Sequence, residues 1–481
     1  MRLNILVLDV GTGSIRGTIL DESAKVLFRQ QRSYRPEYKE NGVVEQDPLD
    51  WLNAVKALCR AAAAEMPVDA IGLAAQRSSV IPADEKGIPL TKAIMWQDTR
   101  NRILCEGLRD RENRIRSICG SGINTVYSGG KMAWLRQSDP DVYYHAAHLF
   151  VIPDYLLYHM TGKHVTDQTY GSRSMLMDLR NGMWSQEMLK LFGVDQRKLG
   201  CLIQPSDIAG RTTEQFAEQC GLRAGIPVVS CGGDQQCGAV GQGVFAPGTV
   251  SVNMGTGAYL IAPIRNMPEA PKPGLTYSAS AIPGEYILES SVLTCGAALD
   301  WFLRELNGEL TMVKTALMES PPGANGVTAL PYFQGRANPD WNSGARAAFF
   351  GLSLGTTKSD LLRALLEGIC VEIAQSVQTM ERIHPIHTIR LSGGLSKTAE
   401  LGQLLSDVTG ICVTLSDDSD ATTLGAWMST AKCLKIVRSW QEAWDMVCPA
   451  QQLCLHPRPE LKAFYEQHAA HMEHIYLATM K

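Results

Sequence analysis

Asp234 stands between a glycine pair, Gly232-Gly233, and two amide side chains, Gln235-Gln236. A carboxylate without bulk on its N-terminal side can approach a substrate closely and receive the proton of an attacking hydroxyl. Such a base contributes about 10²–10⁴-fold in rate. The competing reading is an Asp that caps a helix starting near Gln235, and these residues alone fit it equally. Two further stretches bear on the choice. Asp9-Val10-Gly11-Thr12-Gly13-Ser14-Ile15-Arg16 lies near the start, and Asn253-Met254-Gly255-Thr256-Gly257 lies past the middle. Gly-Thr-Gly offers converging backbone N–H groups and a hydroxyl, the donors that phosphate oxygens require. A single such turn is common in hairpins. Two of them, each between apolar runs, describe phosphate-holding turns that face each other across Asp234. The sequence has no Gly-x-x-x-x-Gly-Lys-Ser/Thr loop and no strand-linked Gly-x-Gly-x-x-Gly to offer instead. Asp9 reads as an indirect partner of Mg²⁺, an ion that keeps much of its water and takes few carboxylates.

The elements that must position these groups are legible as an α/β pattern. Leu3 to Leu8 is a strand running into the first turn, and Gly17-Thr18-Ile19-Leu20 returns from it. Asp47-Pro48 is a helix start, with Trp51, Leu52, Val55, Leu58 and Cys59 at helical spacing. Ile71 to Ala75 is a strand that delivers Gln76-Arg77-Ser78 at its end, and Ala93 to Asp98 carries Trp96. Val151-Ile152-Pro153-Asp154 and Val165-Thr166-Asp167 read as short elements ending in carboxylates. From Val244 the opening plan recurs: strand, Gly255-Thr256-Gly257, strand. A domain-scale duplication is the natural inference, with residues 1–243 as one half and 244–481 as the other. Asp360 to Met380 is a helix, Ile389 to Gly394 runs from strand into a glycine pair, and the tail beyond Ile436 is helical with loops.

Bulk properties narrow the class. A length of 481 residues exceeds one small core. A net charge of −4 without long runs of one sign argues against nucleic-acid and membrane-surface partners. No apolar run reaches the roughly 18 residues of a membrane span. Thirteen cysteines without a Cys-x-x-Cys pair read as reduced thiols, which points to a cytoplasmic enzyme. His468, His471 and His474 suggest a metal site but drift around a helix, and a solvated terminal helix explains them better. Cys231 and Cys237 flank Asp234 without a nearby His, so they read as buried small side chains.

Taken in order, these motifs resemble the FGGY carbohydrate kinase family, which includes glycerol kinase and xylulokinase. The resemblance runs from Leu3 to about Trp427. Asp9 to Arg16 is similar to the family's first phosphate motif, Asn253 to Gly257 to the second, and Leu391-Ser392-Gly393-Gly394 to its adenosine motif. Its C-terminal signature is met at Ala347, Phe349, Gly351-Leu352, Asp360-Leu361 and Ala364-Leu365-Leu366-Glu367, and its N-terminal one in part at Gly129 to Leu135. The resemblance implies two actin-like, ribonuclease-H-like domains with ATP between them, closing on a small sugar or polyol to exclude water. It implies Asp234 as the base and Thr12, Ser14, Arg16 and Thr256 on the ATP phosphates, with Gly11, Gly13, Gly255 and Gly257 completing the turns. Gly393, Gly394 and Thr398 fall on the adenine side, and Asp9 with Asp234 nearest Mg²⁺. Gln76, Arg77, Ser78, Trp96, Asp234 and Gln235 form the acceptor pocket.

That pocket departs from glycerol kinases. Ser78 stands where they carry Glu, and Val126 stands where they carry a Tyr, with Tyr127 one place later. A polyol or sugar other than glycerol is the expected acceptor, because buried hydroxyls without matched partners are rejected strongly. Glycerol itself, a weakly catalytic sugar-binding regulator, and an ATPase of the actin type are the alternatives. A homodimer is left open as the assembly.

Overall fold

Ile5-Leu6-Val7-Leu8 opens the strand Ile5–Val10, and its side chains enter two cores alternately. Leu6, Leu8 and Val10 pack with Trp51, Val55 and Leu58 of the helix Pro48–Glu65. Ile5 and Val7 pack on the opposite face with Ala426, Trp427 and Ala431 of the helix Ala421–Cys433. A strand covered on both faces has no polar side, which is why its apolar run is unbroken. The helix Pro48–Glu65 begins where the sequence indicates, since the Asp47 carboxylate accepts from the Leu49 N–H at 2.9 Å. The computed structural model describes residues 3–338, 340–415, 420–448 and 452–480.

The first sheet runs in the order Asp207–Arg211, Pro227–Gly233, Ala70–Ala75, Ile5–Val10, Ser14–Leu20, Val26–Ser33. Pro227–Gly233, Ala70–Ala75 and Ile5–Val10 are parallel neighbours, while Ser14–Leu20 and Val26–Ser33 fold back antiparallel. The second sheet repeats this plan. Cys412–Leu415, Thr388–Ser392 and Thr249–Met254 are parallel, and Ala258–Ile264 and Tyr286–Val292 fold back antiparallel. Thr276–Ala279 and Leu453–Leu455 extend its edges. Each sheet is thus a three-strand meander joined to two parallel strands, the ribonuclease-H-like order expected of two actin-like domains. The duplication inferred from two short turns holds across five strands in each sheet.

The second sheet is backed by the helix Lys358–Glu381, whose Leu362, Leu365, Leu366 and Ile369 meet Val250, Val252 and Leu260. Thr357 and Asp360 close that helix with a reciprocal capping box. Asp360 and Glu367 of the C-terminal signature are structural: Asp360 accepts from Ser320 Oγ and Asn325 Nδ2, and Glu367 from Gly323 N and Arg363. The tail helix Lys462–Thr479 docks on Glu367 through the Tyr465 hydroxyl, 3.1 Å away. His468 lies in this contact, 3.9 Å from Glu367 with its side chain 8% exposed, so the face that carries it is not solvated.

Two expectations need correcting. Ile152-Pro153-Asp154 opens the helix Ile152–Thr161, so Asp154 stands in a first helical turn and does not end a short element, because proline is tolerated there. The tail beyond Ile436 also carries a strand, Leu453–Leu455, paired with Cys412–Leu415.

Two short helices meet where the sheets join. Asp234–Gly241 and Ala421–Cys433 cross so closely that a Cβ on Gly241 would lie 1.9 Å from the Ala421 carbonyl oxygen. A Cβ on Gly425 would lie 1.9 Å from that of Cys237. Gly238, on the first of these helices, has nothing nearer than Thr422 Oγ1 at 3.6 Å. Gly425→Ala is expected to destabilise by at least the roughly 1–3 kcal/mol typical of overpacking, since backbone cannot rotate away. Gly238→Ala is expected to be neutral or stabilising by up to about 1 kcal/mol. Denaturant midpoints of the two variants, taken side by side, check this.

Candidate active site

Parallel strands bring the loops at their C-terminal ends to one edge of a sheet, and three adjacent strands end together here. Ile5–Val10 carries Asp9 and runs into the first Gly-Thr-Gly turn, Ala70–Ala75 runs into Gln76-Arg77-Ser78, and Pro227–Gly233 into Asp234. The last strand is bulged between Ser230 and Gly232, and Gly232 sits at φ 107°, a conformation that favours glycine. Its backbone is held from below. The Tyr170 hydroxyl donates to the Gly232 carbonyl at 2.6 Å, and the Gly233 N–H donates to Thr169 Oγ1 at 3.0 Å. Asp167 caps the short helix that carries both residues and accepts from Ser230 Oγ.

Asp234 begins the next helix, and its carboxylate accepts from the Gln235 N–H at 2.8 Å. Its own carbonyl accepts from Thr422 Oγ1 at 3.3 Å. Gly233 holds the N-cap position, no side chain caps this helix, and Asp234 is its first helical residue, so the capping reading is not met. Burial raises the Asp234 carboxyl above its ordinary pKa, against the lowering effect of Arg77, whose Nε is 3.8 Å away. Beside it, a cavity of about 60 Å³ is lined by Asp234, Gln235, Gln242, Asn253, Tyr259 and Thr422.

The first Gly-Thr-Gly turn is tied to Trp96 and Gln76. Trp96 Nε1 donates to Thr12 Oγ1 at 3.1 Å, so the aromatic wall abuts the turn. Gln76 Nε2 and the Tyr34 hydroxyl both donate to the Gly11 carbonyl, at 3.1 and 2.7 Å. Gln76 is thus committed through its amide nitrogen to shaping the turn. Ser78 sits at φ 72°, 3% exposed, with its hydroxyl donating to the Arg173 carbonyl. Both residues, expected to face the acceptor, give polar atoms to backbone, as buried polar groups must. Tyr127 is also buried, with the Arg173 guanidinium 4.7 Å over its ring.

The second turn is held differently. The N–H groups of Gly296 and Ala297, opening the helix Gly296–Glu305, donate to the Gly255 and Thr256 carbonyls at 2.8 and 3.1 Å. Thr249–Met254 pairs in parallel with Thr388–Ser392, which sets Gly393 against this turn; a Cβ there would lie 2.5 Å from the Met254 carbonyl oxygen. Gly394 starts a short 3₁₀ turn, and Thr398 precedes the helix Ala399–Thr409. Both Gly-Thr-Gly turns and the Gly393 loop therefore border the junction of the sheets that Asp234 occupies.

Asp420, Glu289, Arg173 and Tyr259 were not apparent from sequence as members of this site. Asp420 pairs with Arg16 at 3.3 Å and Arg29 at 2.5 Å. Glu289 reaches from the second sheet to Arg77 and Arg173, at 3.2 and 3.3 Å. Tyr259, 51% exposed, walls the cavity. The one legible hint was Glu289, the sole charge in Tyr-Ile-Leu-Glu-Ser-Ser-Val.

Among the described residues, no group of three or more His, Cys, Asp or Glu side chains forms a metal cluster. Asp9 and Asp234 instead make a sparse, mutually repelling pair, a donor set that fits a largely hydrated divalent cation. Burial and the Asp234 charge, opposed by Arg16 and reinforced by Asp420, push the Asp9 carboxyl up to about 7.

Comparison with known proteins places this arrangement. Residues 4–241 match the model for the N-terminal domain of the FGGY family of carbohydrate kinases, and residues 250–432 match that for its C-terminal domain. A glycerol kinase of Alcanivorax borkumensis is 33% identical over 442 residues, 88% of each chain. The xylulose kinase of Lactobacillus acidophilus, solved with ligand, superposes with a TM-score of 0.92 at 21% identity, over 99% of this chain and 98% of that one. Plasmodium falciparum glycerol kinase with ADP superposes with a TM-score of 0.92 at 24% identity, over 99% and 98%.

The raised Asp9 carboxyl sets a stability test. Its folded pKa of about 7 exceeds the ordinary 3.8, so folding holds the proton more tightly and stability falls as pH rises between those values. Asp9→Asn is expected to match wild-type melting near pH 4 and to melt higher above pH 7. Thermal denaturation across pH, without nucleotide or divalent cation, measures the difference.

Proposed function

The chain belongs to the FGGY family of carbohydrate kinases, and from that premise we propose that Asp234 is the general base that prepares a sugar or polyol hydroxyl to receive phosphate from ATP. What carries the reading is one juxtaposition: Trp96 is bonded to Thr12 of the first phosphate turn, and Arg77 lies beside Asp234. An aromatic wall bonded to a Gly-Thr-Gly turn, and a cation beside a carboxylate, thus stand at the ends of neighbouring strands of one sheet. An actin-type ATPase without a small acceptor has no use for that wall, and a binding module has no use for the base.

In this mechanism the acceptor hydroxyl lies between Asp234 and the γ-phosphate of ATP. Asp234 takes its proton as the hydroxyl oxygen bonds to phosphorus, and ADP departs on the opposite side. The raised Asp234 pKa brings the base closer to neutral pH, where proton transfer is most effective. Backbone N–H groups and hydroxyls of Thr12, Gly13, Ser14, Thr256 and Gly257 hold phosphate oxygens, with Arg16 as a cation, while Gly11 and Gly255 shape the turns by donating their N–H groups to the Ser14 and Gly257 carbonyls, each at 2.9 Å. Gly393, Gly394 and Thr398 border adenosine. Asp9 and Asp234 would hold Mg²⁺, largely through its water, and when bound the ion neutralises charge on the phosphates. We divide the chain at residues 243 and 244 into acceptor and nucleotide halves. The helix Ala421–Cys433 of the second half packs on the first sheet, so the halves interlock. Thirteen free thiols suit a reducing cytoplasm, and no helix among the described residues is long and apolar enough to cross a membrane.

A second acceptor reading has its own support. The matched A. borkumensis protein is a glycerol kinase, and Ser78 contributes no carboxylate either for or against glycerol. A coupled ADP-release screen with Mg-ATP against sugars and polyols, glycerol included, identifies the acceptor. Asp234→Asn is expected to keep ATP binding and lose at least about 10²-fold in acceptor-dependent turnover. Full turnover in that variant removes Asp234 from the role of base. The acid limb of wild-type kcat/KM is expected above the ordinary Asp range, with activity falling as pH drops through it.

A further inference from the structure

Glu289 belongs to the second sheet but its carboxylate ends among residues of the first half. Both oxygens lie 3.2 Å from Arg77 Nη1. One lies 3.3 Å from Arg173 Nη1 and 2.7 Å from the Ser278 hydroxyl, which donates to it. Burial works against this charge, but Arg173 and Arg77 outweigh it and hold the carboxyl at about 2. The cluster is not sealed. Arg77 and Arg173 are each 12% exposed and Glu289 13%, and Arg77 is also the neighbour of Asp234.

Two guanidinium groups beside a hydroxyl-binding cleft are, by themselves, a carboxylate-recognition set. Here a protein carboxylate already holds both. Arg77 and Arg173 balance Glu289 and Asp234, so the acceptor side of the cleft carries no net charge. An acceptor with its own carboxylate would have to displace Glu289 or sit as a third anion beside it. Either course favours the uncharged competitor, and specificity is that difference in affinity.

We propose that Glu289 is a specificity-determining residue that reserves the acceptor pocket for neutral polyols and sugars by occupying Arg77 and Arg173. This rests on the kinase reading and on Arg77 lying at the acceptor. It assigns to a residue of the nucleotide half a part in choosing the acceptor. It also gives Arg173 a role, as the second cation that Glu289 must occupy.

The test pairs polyols of three to six carbons with their aldonates, glycerol with glycerate through to sorbitol with gluconate, and reads turnover and calorimetric binding together. Glu289→Gln keeps the side-chain size and an acceptor for Ser278 while removing the charge. It is expected to shift the polyol-to-aldonate preference toward the aldonate by about tenfold or more, chiefly through KM, and Glu289→Asp to restore the wild-type ratio. Arg173→Gln leaves the carboxylates in surplus and is expected to shift the ratio the other way. An unchanged ratio in a folded Glu289→Gln protein, or shifts of the same sign in both variants, overturns the proposal. If Glu289→Gln does not fold, the sign of the Arg173→Gln shift decides. A wild-type protein that binds polyols but phosphorylates none counts against the phosphotransfer reading alone, because selectivity is still read from binding. Binding of aldonates as tight as that of polyols by the wild type refutes the proposal directly, as does binding of neither class.

Discussion

A partly sheltered carboxylate at the end of a parallel strand, its side chain 24% exposed, is the constraint around which this structure is arranged. Burial opposes the charge on Asp234, and the surroundings offset that cost only partly. Arg77 pairs with it at 3.8 Å, beyond hydrogen-bond distance, and one backbone N–H is committed to the carboxylate. A base needs this incomplete compensation, since a fully paired carboxylate would hold protons too weakly to accept one. The surrounding framework is correspondingly rigid. Tyr170, Thr169 and Thr422 fix the backbone on either side of Asp234, and none of them touches its carboxylate.

The duplicated sheets solve one problem twice by different means. Both present a Gly-Thr-Gly turn between antiparallel strands, closed by the N–H of its first glycine on the Ser14 or Gly257 carbonyl, and in both the carbonyls left over need donors from outside the turn. In the first, Tyr34 and Gln76 side chains supply the donors. In the second, the N–H groups that open the helix Gly296–Glu305 supply them. Such helix-end donors have no partner within their own helix, so the second turn needs no dedicated side chain.

Much of the fold was legible because its signals are local. Strand runs, the Asp47-Pro48 helix start and the two turns depend on neighbours within a few residues, and each forms where the sequence places it. Pro153 misled because a proline that ends one element also suits the first turn of another. The site was legible only in part, since its remaining members meet across great sequence distance. Arg16 and Asp420 are 404 positions apart and Arg77 and Glu289 are 212. Nothing near Glu289 in the chain foretells two arginines. Nor does local sequence tell that Gln76 and Ser78 turn to backbone, because the carbonyls they satisfy belong to Gly11 and Arg173.

The crossing of Asp234–Gly241 with Ala421–Cys433 has a mechanical meaning. Two helices that touch backbone to backbone, with no side chains between to yield, form a seat that is hard to compress. The contacts run from the Asp234 carbonyl, which accepts from Thr422, past Cys237 to Gly241, seven residues and roughly 10 Å on at ~1.5 Å per residue. The helix that Asp234 opens is therefore held along its length to the helix Ala421–Cys433, and Asp234 cannot shift without carrying that partner with it.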